Sequence, residues 1–280
     1  MLSFVEKIIF VIIAISAMGA SFITFRKMFR AIGKGAKPIN WKEALLNFSK
    51  GLKVFISQNT LFKTRPIIGF IHALVAWGFT LYLIVNIVDV LYGFIPGFYF
   101  FPNYFIGKMY RLFVDFFTVM VLLGVFYFLI RRFILNDNRL IINKPVMLND
   151  EAKNGMRRDS LIVGFFILFH VGARFLSASF EIAKNSPDSF QPAATMVSLL
   201  WSNFSEDNIV LFEHITWWIA LGLILGFLPY FPYTKHAHLF MGPLNFMVLQ
   251  DRSSMASLET IDFEDDSIEQ FGAGNIEHLP

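Results

Sequence analysis

Residues 67 to 94 read IIGFIHALVAWGFTLYLIVNIVDVLYGF, an apolar run long enough to cross a hydrocarbon core of roughly 30 Å as a helix, which takes about 20 residues. Four further runs do the same, at Phe4 to Phe25, Met109 to Ile130, Leu161 to Ile182 and Ile209 to Tyr230. Whole-chain composition agrees: 280 residues that are 55% hydrophobic, 17% aromatic and 16% charged, with a mean hydropathy of +0.56, carry more apolar surface than a water-soluble domain buries. The fold class expected is an all-α integral membrane bundle of five transmembrane helices. The first run contains Glu6, lacks a basic leader and is too long for a signal segment, so it is expected to be a retained span.

Basic residues set the expected orientation, because loops rich in Lys and Arg stay on the cytoplasmic side. Ten of them lie between Arg26 and Arg65 and seven between Arg131 and Arg158, whereas the other two loops hold only Lys108 and Lys184. The N-terminus is therefore expected outside and the C-terminus in the cytoplasm. The net charge of +3 reads as a topology signal, and nucleic acid is not an expected partner. In the first basic loop, within residues 38–60, WKEALLNFSKGLKVFISQ sets Leu45, Phe48, Leu52 and Phe55 on one helical face. That pattern fits a cytoplasmic-side helix lying among lipid headgroups and equally a solvated amphipathic connector.

The expected division is a membrane domain over 1–250 and an acidic tail over 251–280. After Met255 the tail has seven acidic residues and no Lys or Arg, with too little apolar content to fold alone, so it reads as a linker or docking strap. Nothing repeats internally. There is no cysteine, which excludes disulfides, thiolate metal sites and cysteine nucleophiles. No glycine-rich phosphate loop or acidic metal cluster points to a kinase or hydrolase.

Ionisable side chains inside spans are costly and mark candidate sites. His72, His170 and His214 lie inside spans, and His236 and His238 at the inner end of the fifth. Neutral imidazoles on neighbouring helices are what a b-type haem requires. At about 1.5 Å of rise per residue, His72 lies roughly 9 Å deep from the basic side, where His238 emerges. His170 and His214 come out roughly 18 and 20 Å from that side, so a second, outer haem between them is geometrically allowed. Arg174 follows His170 by a helical turn. Arg111 and Asp115 are spaced to pair with each other. For Arg174 and Arg111 two readings are open, propionate or quinone binding and a structural ion pair. Lys235 and Arg65 flank the inner pair and read as propionate partners or as ordinary snorkelling cations. The 35 Phe, with FYFFPNYF at 98–105 and Trp217 and Trp218, read as lipid-facing belts or helix packing. Gly69 and Gly78 read as room for a macrocycle or as helix packing.

Five spans, GFIHALVAWGF at 69–79 and FPYTKHAHLFMGPLN at 231–245 resemble the cytochrome b subunit of respiratory nitrate reductase. They are closer to the nitrate-reductase-gamma-like membrane domain that fronts a class of bacterial iron-sulfur oxidoreductases. The likeness extends to VFISQNTLFKTRPIIG at 54–69 and DFEDDSIEQFGAGNIEHL at 262–279. In that class the membrane domain precedes a two-cluster ferredoxin-like domain and cysteine-rich domains of the heterodisulfide reductase type. Some members resemble electron-transfer-flavoprotein:menaquinone oxidoreductases. The resemblance implies an inner haem on His72 and His238, and His236 is expected either at the water interface or supporting the haem edge. The family's outer-haem ligand positions fall on Tyr82 and Ala220 here, so both ligands are missing and the outer haem is expected to be absent or held differently, with His170 and His214 the replacement pair; one or two haems are expected. The implied function is a membrane cytochrome b of a respiratory chain. It would pass electrons between a cytoplasmic iron-sulfur module, in a further domain or a separate subunit, and menaquinone, with an electron-transfer flavoprotein as a further partner. The rival reading is a haem-free anchor, or a membrane protein that relays protons or binds a metal through its histidines.

Overall fold

The computed structural model describes residues 2–34, 39–137, 140 and 149–248. The acidic tail expected to dock a partner lies outside the described residues, as do Lys37, Arg139 and Lys144 of the basic loops. Everything described is helix, turn or coil, with no strand among the described residues. Ten α-helices occur among the described residues, and five of them, α1 (Phe4–Ile32), α5 (Pro66–Phe94), α6 (Phe105–Phe133), α7 (Asp150–Lys184) and α9 (Glu206–Phe227), are long and apolar enough to cross a membrane. The chain is a multi-pass membrane protein. Three of the five run 29 residues, about 43 Å, so they project past the hydrocarbon, and the expected spans are their apolar centres.

The connector after α1 differs from the single amphipathic helix expected. It forms α2 (Trp41–Leu46), α3 (Phe48–Ser57) and α4 (Asn59–Thr64), broken at Asn47 and Gln58. Gln58 is left-handed, with φ 44° and ψ 33°, which no residue inside a helix can be. Small residues face inward here: Ala44 and Gly51 are buried, while Leu45, Phe48, Leu52 and Ile56 are exposed. Gly51 packs on α10 (His238–Val248), where a β-carbon would stand 2.8 Å from the Pro243 carbonyl oxygen. Asn47 donates its amide to the Met247 carbonyl at 3.3 Å.

In the bundle α5 packs on α6, α6 on α7, α7 on α9, and α1 leans on α9 at the edge. The α5/α6 seam is reciprocal. Val121 of α6 fills the space beside Gly78 of α5, and Val75 of α5 the space beside Gly124 of α6. Gly69 lies against the α4 backbone, 3.1 Å from a β-carbon to Leu61. Gly69 and Gly78 therefore serve helix packing, as small residues do in membranes. The centre is closed by Tyr82, Val85, Val114, Val121, Phe166 and Phe227. Trp217 is core, donating its indole to the Asp89 carbonyl at 3.0 Å, whereas Tyr99, Phe101, Tyr104 and Phe105 of the aromatic run are exposed.

Helix α8 (Pro192–Ser198) closes the end opposite the connector. Its first amides are capped by Asp115, which accepts from Ala193 N at 2.8 Å and Ala194 N at 3.0 Å. A carboxylate suits a helix N-terminus because the amide dipoles there are unpaired. The expected Arg111–Asp115 pair is thereby corrected. Asp115 faces α8, and Arg111 Nε instead donates to Asp188 at 2.7 Å. Spacing put the two on one helix face, but Arg111 finds its partner in the loop before α8 and Asp115 finds its own in α8 itself.

Candidate functional site

Two 3-10 turns, Phe231–Tyr233 and Lys235–Ala237, reverse the chain after α9 and launch α10 at His238. Thr234 holds the junction, donating to the Phe231 carbonyl at 2.8 Å and accepting from His236 N at 3.1 Å. Asp159 and Ser160 of α7 anchor it from the side. Asp159 accepts from Tyr230 Oη and Lys235 N, and Ser160 Oγ accepts from Lys235 Nζ at 2.7 Å. This fixture turns His238 towards α5, where Pro66 at the first turn sets the helix that carries His72.

The rings of His72 and His238 have centres 6.2 Å apart, inclined at 37°. An imidazole nitrogen stands about 2 Å from a metal it ligates and roughly 1 Å from its own ring centre, so rings clasping one ion have centres about 6 Å apart. Each ring uses Nδ1 on a protein oxygen. His72 Nδ1 is 2.9 Å from Gln58 Oε1, and His238 Nδ1 is held by the Lys235 carbonyl. Carbonyl oxygens only accept, so Nδ1 carries the proton in both and each Nε2 keeps its lone pair. That is the pattern of histidines oriented for ligation. Among the described residues no group of three or more His, Asp or Glu is arranged for a bare metal ion, but a haem asks the protein only for axial ligands.

Both rings line one cavity of 370 Å³. Ile68, Val75, Val125, Phe128, Val163 and Ile167 give it apolar walls, and Ala76, one turn beyond His72, leaves the wall low. Arg65, Arg131, Arg132 and Lys235 line it too, and Arg131 also holds Asp137. A flat apolar ring bearing two carboxylates fits this set of donors, walls and cations. The sequence reading singled out Lys235 and Arg65 here but took Arg131 and Arg132 only as loop charge. Gln58 escaped it altogether, since its role depends on a backbone angle that no pattern shows.

His236 lines the same cavity, partly buried against Phe79 at 5.4 Å and Phe227 at 6.3 Å. Its Nδ1 is buried without a partner among the described residues. Burial first, then His238, Lys235 and His72, push its pKa down to about 4. It is a neutral wall of the cavity and does not lie in open water.

His170 and His214 are given separate partners. His170 is 2% exposed, bonds the Ala220 carbonyl through Nδ1 at 2.7 Å, stacks on Phe166 at 5.6 Å and meets Tyr82 edge-on at 5.8 Å. Its Nε2 has no partner among the described residues. His214 lies six residues from Ala220 along α9, about 9 Å, and turns to α1, with Nε2 2.5 Å from Glu6 Oε1. Glu6 also closes the α1 capping box with Ser3.

At this end of the bundle Arg174 pairs with Asp89 at 3.2 Å, both side chains 16% exposed. They line a cavity of 120 Å³ with Tyr110, Arg111, Glu181 and Glu213. A neighbouring cavity of 260 Å³ shares Tyr92, Tyr99, Glu213 and Trp217 with it and adds His214 and Lys184. Tyr92 donates to Glu213 at 3.3 Å, and Tyr110 Oη is buried without a partner among the described residues. Sequence reading found the two arginines but passed over Asp89, Glu181 and Glu213, although acidic residues inside apolar runs were a visible signal.

Among curated proteins the chain is 29% identical over 218 residues to the probable iron-sulfur-binding oxidoreductase FadF of Bacillus subtilis, covering 75% of this chain and 28% of that one. It is 25% identical over 223 residues to the EtfAB:quinone oxidoreductase of Syntrophomonas wolfei, covering 76% of this chain and 29% of that one. Both relatives are oxidoreductases. The chain spans less than a third of the length of either. No protein-family model and no solved structure matches it.

Proposed function

We propose that this chain is a membrane cytochrome b that carries electrons between a cytoplasmic iron-sulfur module and the menaquinone pool. The observation that carries the reading is the facing pair His72 and His238, 6.2 Å between ring centres, with both Nδ1 atoms committed to protein oxygens. These two would hold the haem, and Arg65, Arg131, Arg132 and Lys235 would meet its propionates. When bound, a haem supplies reversible one-electron transfer, while the protein supplies ligation, spacing and a low dielectric. A single haem fits better than two, because Phe166 and Tyr82 cover the His170 ring and Glu6 engages His214.

The similarity to an iron-sulfur-binding oxidoreductase and to an EtfAB:quinone oxidoreductase supports the electron-transfer role. The iron-sulfur clusters belong to a partner or further domain, since the chain has no cysteine, and an electron-transfer flavoprotein is the soluble partner we favour. The basic connector and the haem end face the cytoplasm in this reading, and the membrane is the bacterial inner one. At the opposite end the cavities beside Arg174 and Arg111 would take the quinone headgroup. Tyr110 and Arg111 can donate to a carbonyl oxygen, and Glu181 and Glu213 can exchange protons with it. A reduced-minus-oxidised spectrum of the purified protein tests the haem. We expect b-type bands in the wild type and their loss in His72→Ala and His238→Ala, and a wild type without such bands defeats the reading.

A further inference from the structure

We propose that Gln58 is a positioning residue that fixes the His72 imidazole and sets the reduction potential of the iron it would ligate; this rests on the haem reading above. Its amide oxygen stands 2.9 Å from His72 Nδ1, fourteen residues along the chain. To deliver it the backbone takes the left-handed conformation, φ 44° and ψ 33°. A residue with a β-carbon there costs on the order of 1 kcal/mol, a cost that Gly would avoid.

The surroundings hold Gln58 in place from both sides. It ends α3 and begins α4. The α4 backbone lies on Gly69 of α5, three residues before His72, and α3 lies through Gly51 on α10, the helix that starts with His238. One short connector therefore braces both ligand-bearing helices and aims its amide between them. An acceptor at Nδ1 fixes the tautomer, keeps Nε2 free and makes the imidazole more basic. A more basic ligand favours the oxidised, more highly charged iron and lowers its potential. At His238 the same service comes from the Lys235 backbone carbonyl, which no substitution removes. Gln58 is the side chain through which sequence can tune the pair.

The test uses the purified full-length chain with its haem, the wild type beside Gln58→Gly and Gln58→Glu. Gly keeps the left-handed backbone without strain and deletes the acceptor; Glu keeps the reach and offers a stronger one. Optical redox titration and the ferric low-spin electron paramagnetic resonance spectrum are read for each. We expect the midpoint potential to rise in Gln58→Gly and fall in Gln58→Glu, with shifted ferric g values in both. Loss of haem from Gln58→Gly but not from Gln58→Glu also supports the assignment. Titrations and spectra that coincide with the wild type overturn it. Absence of b-type bands in the wild type itself overturns this inference together with the haem reading.

Discussion

His236 sits two residues from a proposed ligand in a turn whose every neighbour discourages protonation. Burial is the largest cause of its low pKa, and the adjoining His238, Lys235 and His72 add to it. An unfolded chain protonates this imidazole below about 6.5, whereas the folded one resists down to about 4. Between those values the unfolded state binds more protons, so stability is complete above 6.5 and drains as pH falls towards 4. The loss amounts to about 3 kcal/mol. Melting of the detergent-solubilised protein from pH 7 to 4 should show a decline that His236→Gln flattens; parallel curves for the two proteins would refute the account. His72 and His238 were legible as a pair because helical rise brings both near the basic end and the FPYTKHAH motif resembles a family that ligates haem there. Gln58 was not, because a left-handed residue is a tertiary compromise with no local signature.

At the level of elements, hydropathy predicted five helices and missed how the connector bends. Its apolar residues repeat with helical spacing, but Asn47 and Gln58 break it so that Gly51 reaches α10 and the α4 backbone reaches Gly69. The large apolar side chains then stay exposed, which suits a surface resting on lipid. Where α5 meets α6, a β-carbon on Gly78 would stand 2.4 Å from Val121 and one on Gly124 2.6 Å from Val75. Overpacking of this kind costs about 1 to 3 kcal/mol. Gly78→Leu and Gly124→Leu should each lower the melting temperature. Gly222→Ala on α9, where nothing lies within 4 Å, should leave it level or raise it slightly. Equal effects at all three positions would show that the seam is not close-packed.

Across the whole molecule two polar regions occupy opposite ends, the histidine cavity beside the connector and the Arg174–Asp89 cavity beside α8. Removing one member of a fully buried pair costs about 3 to 5 kcal/mol, and replacing both is often near neutral; this pair is only partly buried, so the cost falls below that range. Asp89→Met should therefore destabilise the protein, and Asp89→Met with Arg174→Met should recover much of the loss. Both changes should impair electron exchange with quinone if that cavity holds the headgroup. Orientation can be tested directly because the chain has no cysteine of its own. Lys42→Cys and Asn203→Cys, both at exposed positions, should react with an impermeant thiol reagent from opposite faces of the cell membrane. Asn203→Cys should be the one labelled in intact cells, and the reverse result would invert the topology.

The number of spans, their alternating direction and the asymmetry of charge are properties of single segments, because an apolar run of the right length must cross whatever its neighbours do. The sequence alone therefore determined a five-span membrane bundle and the candidate pair at its basic end. Which ionisable groups meet across the bundle depends on how each helix is turned and shifted against the next, and hydropathy is blind to rotation. Only the tertiary structure decided that Arg111 takes Asp188, that Asp115 caps α8, and that His170 and His214 turn to Ala220 and Glu6.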